Sequence, residues 1–102
     1  MVKGDGWRGD GSDAGVRKTV TIVNRRGLHA RAAARFVKVA AKFDAEVSVA
    51  KNGTVVSGLS IMGLMMLAAG SGSDIEIQAT GAEAKRAIAA LGRLIANKFH
   101  EE

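Results

Sequence analysis

The sequence predicts an α+β domain with the element order βαββαβα, and three features carry that prediction. Alternating apolar runs recur at four places, two apolar stripes repeat at helical spacing, and an Asn-Gly pair joins the second and third runs. Short connections and one hairpin favour a largely antiparallel four-stranded sheet with three helices on one face, a two-layer open-faced sandwich. A chain of 102 residues supports one modest core rather than two.

Residues 1–16 are rich in Gly and Asp and poor in aliphatic side chains, so they bury too little apolar area to offset the entropy of ordering them. They are expected to be a disordered N-terminal extension to a domain spanning residues 17–102. A G-x-G-x-x-G at Gly4, Gly6 and Gly9 falls in this extension without the preceding strand and following helix that nucleotide binding needs. The first strand is expected over Thr19–Val23, punctuated by Asn24-Arg25-Arg26-Gly27. Ala33, Phe36, Val37, Ala40 and Ala41 then share one face of a helix from about Ala30 to Lys42.

Glu46–Lys51 and Thr54–Ser57 flank Asn52-Gly53 as a hairpin. Ser60 is placed to cap a short helix from Ile61 to Ala69, closed by Gly70. Asp74–Ala79 alternates as a fourth strand, and Thr80 with Glu83 has the spacing of a capping box. Ala84, Ala87, Ile88, Leu91, Leu94, Ile95 and Phe99 trace the apolar stripe of a final long helix.

Composition narrows the chemistry. Fifteen Lys+Arg against ten Asp+Glu give a formal charge of +5, which favours anionic partners. Without cysteine there is no disulfide, thiolate metal site or cysteine nucleophile. The two histidines are far from carboxylate clusters in sequence, so neither a metal nor another cofactor is expected. No run approaches the roughly 20 apolar residues of a membrane span and no signal-like segment opens the chain, so a cytoplasmic protein is expected.

His29 lies between Gly27-Leu28 and the first turn of a helix, with Arg31 two residues on. First-turn amides lack intrahelical partners and, with the helix dipole, favour an anion; Arg31 adds a forked pair of donors. Positive neighbours also favour a neutral, nucleophilic imidazole over a second cation. A histidine so placed serves either as a helix cap or as a phosphoryl acceptor, because phosphoryl transfer asks mainly for alignment and for donors around the oxygens. With no Walker sequence and no second nearby histidine, a carrier fits better than a self-contained kinase or hydrolase.

The run Arg26-Gly27-Leu28-His29-Ala30-Arg31-Ala32-Ala33 resembles the active-site motif of the HPr phosphocarrier proteins of the bacterial phosphoenolpyruvate-dependent phosphotransferase system. Gly58-Leu59-Ser60-Ile61-Met62-Gly63-Leu64-Met65 is similar to the regulatory-serine segment of that family, and βαββαβα is its fold. The resemblance implies that enzyme I phosphorylates His29 on Nδ1, that Arg31 assists the phosphohistidine, and that an EIIA-type acceptor receives the group. It also implies phosphorylation of Ser60 where an HPr kinase/phosphorylase is present. Ala32 stands where the family often has proline, and with the Gly-Leu-Met-Met run this resembles the regulatory, nitrogen-related branch of the system. That branch, in which partners read the phosphorylation state without sugar transport, is the alternative reading.

Ile61, Met62, Leu64, Met65, Met66 and Leu67 are apolar around a whole short helix, more than one sheet face can cover, so about half are expected at a docking rim led by Ile61, Met62 and Met65. Arg31, Arg35, Lys38 and Lys42 form a basic stripe starting beside His29, suited to an acidic partner surface, and Arg35 is assigned to docking. A nucleic-acid module using the open sheet is disfavoured, because Trp7, Phe36, Phe43 and Phe99 all fall outside the strands. The expected protein is a monomeric carrier that binds neither membrane nor nucleic acid. His100, near the chain end, is assigned no role.

Overall fold

Pairing decides where the strands begin and end. In the computed structural model, which describes residues 15–101, β1 (Val16–Thr21), β2 (Glu46–Lys51), β3 (Thr54–Ser57) and β4 (Asp74–Thr80) form one antiparallel sheet in the order β1-β4-β2-β3. Helices α1 (Ala30–Ala40), α2 (Ile61–Met66) and α3 (Ala84–Ala96) cover one face. Val47, Val49, Ile75, Ile77 and Ala79 alternate inward to meet Ala33, Phe36, Leu64, Leu91 and Ile95, while Ser48, Glu76 and Gln78 are only partly covered. The expected order and layering are those of the structure. Residues 1–14 of the expected extension, with its G-x-G-x-x-G, lie outside the described residues, whereas Val16, expected in that extension, is the first residue of β1.

Several element boundaries differ from expectation, and tertiary contacts account for the larger changes. β1 begins at Val16 because the register with β4 runs from Val16 opposite Ala79 to Thr21 opposite Asp74. α1 stops at Ala40, where Lys42 N–H turns back to the Val39 carbonyl at 3.0 Å instead of extending the helix. α2 stops at Met66, and Ala68 takes a left-handed φ of 52° that turns the buried Ala69 toward the chain before α1. The Thr80–Glu83 capping box does not form. Thr80 pairs with Glu46 in the sheet, and Glu83 instead receives the Asp44 amide at 2.8 Å and donates its own N–H to the Asp44 carbonyl at 2.9 Å.

Phe99 belongs to the core but not to α3, which ends at Ala96. A single 3-10 turn over Lys98–His100 follows, with φ values of 58°, 56° and 62° at its three residues. A left-handed run without glycine costs of order 1–3 kcal/mol per residue and persists only when its surroundings hold it. Here the fully buried Phe99 ring and an Arg35 guanidinium donating to the Phe99 carbonyl hold it.

The loop into α1 depends on Gly27. Its φ is +69°, and a Cβ there would sit 2.6 Å from the Ala69 carbonyl oxygen and 2.8 Å from Gly70 Cα. Gly27→Ala is therefore expected to destabilise the domain by about 2 kcal/mol, lowering Tm by roughly 10 °C in a thermal unfolding scan. An unchanged Tm would mean that this close approach is not required.

Candidate functional site at the start of helix α1

The site is built by a turn that fixes three successive residues. Gly27 N–H closes on the Asn24 carbonyl at 3.2 Å, Leu28 N–H donates to the Ala69 carbonyl at 2.9 Å, and the Leu28 side chain is buried. His29 then becomes the N-cap of α1, with extended backbone at φ −78° and ψ 179° and no capping bond from its ring. Its carbonyl accepts the first helical bond from Ala33 N–H at 2.8 Å. The amides of Ala30, Arg31 and Ala32 therefore precede the helical ladder, and no acidic side chain occupies that first turn.

Since the ring does not cap the backbone, it is available for chemistry. It is only 17% exposed, and its Nε2 meets the Glu101 carboxylate. The second Glu101 oxygen accepts a hydrogen bond from Asn24 Nδ2 at 3.0 Å, and the same Nδ2 donates to the Gly27 carbonyl at 2.8 Å. Asn24 is fully buried and its Oδ1 has no partner, so the side chain is spent on holding the turn and the carboxylate. The Asn24 bond comes first among the causes that hold the Glu101 carboxyl below its usual range; desolvation opposes it, and the His29 ring and the Arg26 charge add to the lowering.

Arg25, Arg26, Arg31 and Arg35 line an open cleft of about 400 Å³ with His100 and Glu101. Arg31, expected beside His29, is exposed on that cleft, which the His29 ring reaches through Glu101 rather than by lining it. Arg35 departs from its assigned part, because it is half-buried and its guanidinium is used on the Phe99 carbonyl. His100 is exposed at the cleft wall. Sequence reasoning missed Glu101 and Asn24: it counted only cations around the imidazole, and the carboxylate comes from 72 residues away.

Ser60 caps α2 as expected, its Oγ accepting from Gly63 N–H at 2.9 Å. Of the apolar α2 segment, Leu64 and Leu67 are core, whereas Ile61, Met62, Met65 and Met66 are exposed, with Leu59 and Val55 beside them in sequence also exposed. Phe36 and Phe99 are buried and Phe43 is half-buried, so no aromatic platform stands on the sheet among the described residues; Trp7 lies outside them. Among the described residues no group of three or more His, Cys, Asp or Glu could hold a metal ion, and no helix is long and apolar enough to cross a membrane.

Comparison with known proteins agrees with this fold. The profile of the PTS-HPr family, described as "PTS HPr component phosphorylation site", matches residues 16–97. The phosphocarrier protein HPr of Treponema pallidum is 44% identical over 87 residues, covering 85% of this chain and 99% of that protein. The phosphocarrier protein NPr of Shewanella violacea is 38% identical over 86 residues, covering 84% and 94%. The crystal structure of HPr from Thermoanaerobacter tengcongensis superposes with a TM-score of 0.82 at 42% identity, covering 85% of this chain and 98% of that one.

The lowered Glu101 carboxyl has a consequence for stability. A carboxylate held below its unfolded value stabilises the fold at neutral pH, and that contribution is lost as pH falls through its folded pKa. In acid titrations of unfolding, wild type is expected to exceed Glu101→Gln in stability at neutral pH and to converge with it under acid conditions. A gap independent of pH would contradict a Glu101 carboxylate held ionised chiefly by its bond from Asn24.

Proposed function

Because the chain belongs to the HPr family of phosphocarrier proteins of the phosphotransferase system, we propose that His29 is its phosphoryl acceptor. In this reading Arg31 stabilises the transferred group, phospho-enzyme I is the donor and an EIIA-type protein is the acceptor. The observation that carries it is the His29 ring at the α1 N-cap, free of backbone duties and joined through Glu101 to an arginine-lined cleft. Three unpaired amides and a guanidinium supply donors for phosphoryl oxygens, and a carrier needs little else, since the partner brings the group already activated. The domain that opens with β1 at Val16 acts as the carrier, one residue earlier than the sequence expectation, and the relay works in the cytoplasm.

The exposed Ile61, Met62 and Met65 give successive partners an adaptable apolar contact beside the basic face of α1. A phosphoryl group on Ser60, added by an HPr kinase/phosphorylase, would place about −1.5 to −2 charges at that contact and weaken docking. The alanine at position 32 and the likeness to a phosphocarrier named NPr favour a second reading, in which the acceptor belongs to the nitrogen-related regulatory branch. Side-by-side transfer to EIIA proteins of the two branches decides between them: the faster acceptor identifies the branch.

Intact mass after incubation with phosphoenolpyruvate and a cognate enzyme I tests the main reading. Wild type is expected to gain one acid-labile phosphoryl group, His29→Ala none, and Ser60→Asp is expected to be phosphorylated more slowly. An adduct that persists in His29→Ala would overturn the assignment.

A further inference from the structure

We propose that Glu101 is a positioning residue for phosphoryl transfer, fixing the tautomer of His29 that leaves Nδ1 as the nucleophile. The inference rests on the reading of His29 as the acceptor. It concerns a residue outside positions 16–97, the span that the family profile matches.

A carboxylate can only accept hydrogen bonds, so the contact between Glu101 and Nε2 requires the proton to be on Nε2. A neutral imidazole carries one proton, and Nδ1 is then left with its lone pair. The Asn24 amide sets this arrangement from the other side. Its neighbours, the Gly27 carbonyl and a Glu101 oxygen, are both acceptors, so only the Nδ2 donor fits between them. Turning the amide over would set oxygen against two oxygens. Asn24 thus aims the carboxylate, and the carboxylate aims the ring.

The tail is built to deliver this group. Three left-handed residues in succession reverse the chain after α3, Glu101 N–H bonds to the Lys98 carbonyl at 3.0 Å, and the buried Phe99 anchors the turn. Arg35, from the second turn of α1, donates to the Phe99 carbonyl and ties the tail to the helix that carries His29. Such strain is retained only where surrounding contacts over-determine it, and here the buried Phe99, the Arg35 bond and the Glu101 N–H hold the turn that ends at Glu101.

The transfer step balances without a proton moving. The Nδ1 lone pair forms the N–P bond while the donor's bond to phosphorus breaks and its electron pair stays with the donor. The ring keeps its Nε2 proton and gains positive charge, which the Glu101 carboxylate offsets. Onward transfer returns the electron pair to Nδ1. The arginines of the cleft, Arg25, Arg26, Arg31 and Arg35, face the carboxylate side of the site, so the anion also keeps the ring from facing cations alone.

Histidine 15N spectra of the unphosphorylated protein at alkaline pH, measured with phosphoryl-transfer rates from a cognate phospho-enzyme I, test the proposal. The His29 ring of wild type is expected to show one protonated nitrogen, Nε2, and one bare nitrogen, Nδ1, with the His100 signals identified by a His100→Gln variant. Glu101→Ala is expected to move both resonances toward the averaged values of a free imidazole and to slow transfer about tenfold. Glu101→Gln retains an acceptor oxygen and is expected to recover the tautomer signature and part of the rate. Unshifted resonances in Glu101→Ala, or shifted resonances with an unchanged rate, would overturn the role given to Glu101. A wild type that shows the Nε2–H signature but accepts no phosphoryl group would instead overturn the carrier reading on which it rests.

Discussion

The proposed site depends on how closely the turn before α1 approaches the segment after α2. Gly27 passes so near Ala69 and Gly70 that a methyl group would collide with backbone, and Leu28 N–H bonds to the Ala69 carbonyl in the same contact. This one approach determines where α2 must stop, why Ala68 adopts a left-handed conformation, and at which residue α1 starts. It also ties two surfaces together. α1 presents the imidazole and the basic stripe, α2 presents the exposed methionines, and the Gly27–Ala69 contact fixes one helix relative to the other. A partner that reads the apolar rim of α2 therefore meets the histidine at a set position, which is the alignment that phosphoryl transfer demands.

Charge around the imidazole is arranged in two layers. The outer layer is cationic, with Arg25, Arg26, Arg31 and Arg35 on the cleft and the positive end of α1 beneath them. The inner layer is the single carboxylate of Glu101, kept ionised by Asn24, by the ring and by Arg26. In the proposed relay the cations of the outer layer attract the phosphoryl oxygens, whereas the inner anion is assigned the choice of ring nitrogen that receives phosphorus. Burying that carboxylate without partners would be costly, and its hydrogen bonds to Asn24 and His29 make its position affordable.

Much of this was legible in the sequence, and what was not follows a physical pattern. Local signals held: Asn52-Gly53 supplied the two left-handed residues of the hairpin turn, Ser60 capped α2, and the Gly27-Leu28-His29 run opened α1. Failures came where a residue's partner is remote. Thr80 has the chemistry of a cap but is claimed by pairing with Glu46, and Glu83 bonds to Asp44 across the fold. Phe99 read correctly as core because burial follows hydrophobicity, yet its helix ended three residues earlier because the tail must turn back. Glu101 carried no local signal at all. An acidic residue near a chain end looks like solvated charge, and only the packing of Phe99 and the reach of Arg35 bring it to His29.

The central claim is that the fold leaves Nδ1 of His29 as the one free nucleophile at the α1 start. Resolving the one-bond 31P–15N coupling in the phosphorylated protein, with the two ring nitrogens assigned separately, tests it most directly. The structure predicts phosphorus on Nδ1 of His29, with the remaining proton on Nε2. Phosphorus on Nε2 would contradict the account, because that nitrogen is the one the Glu101 carboxylate holds.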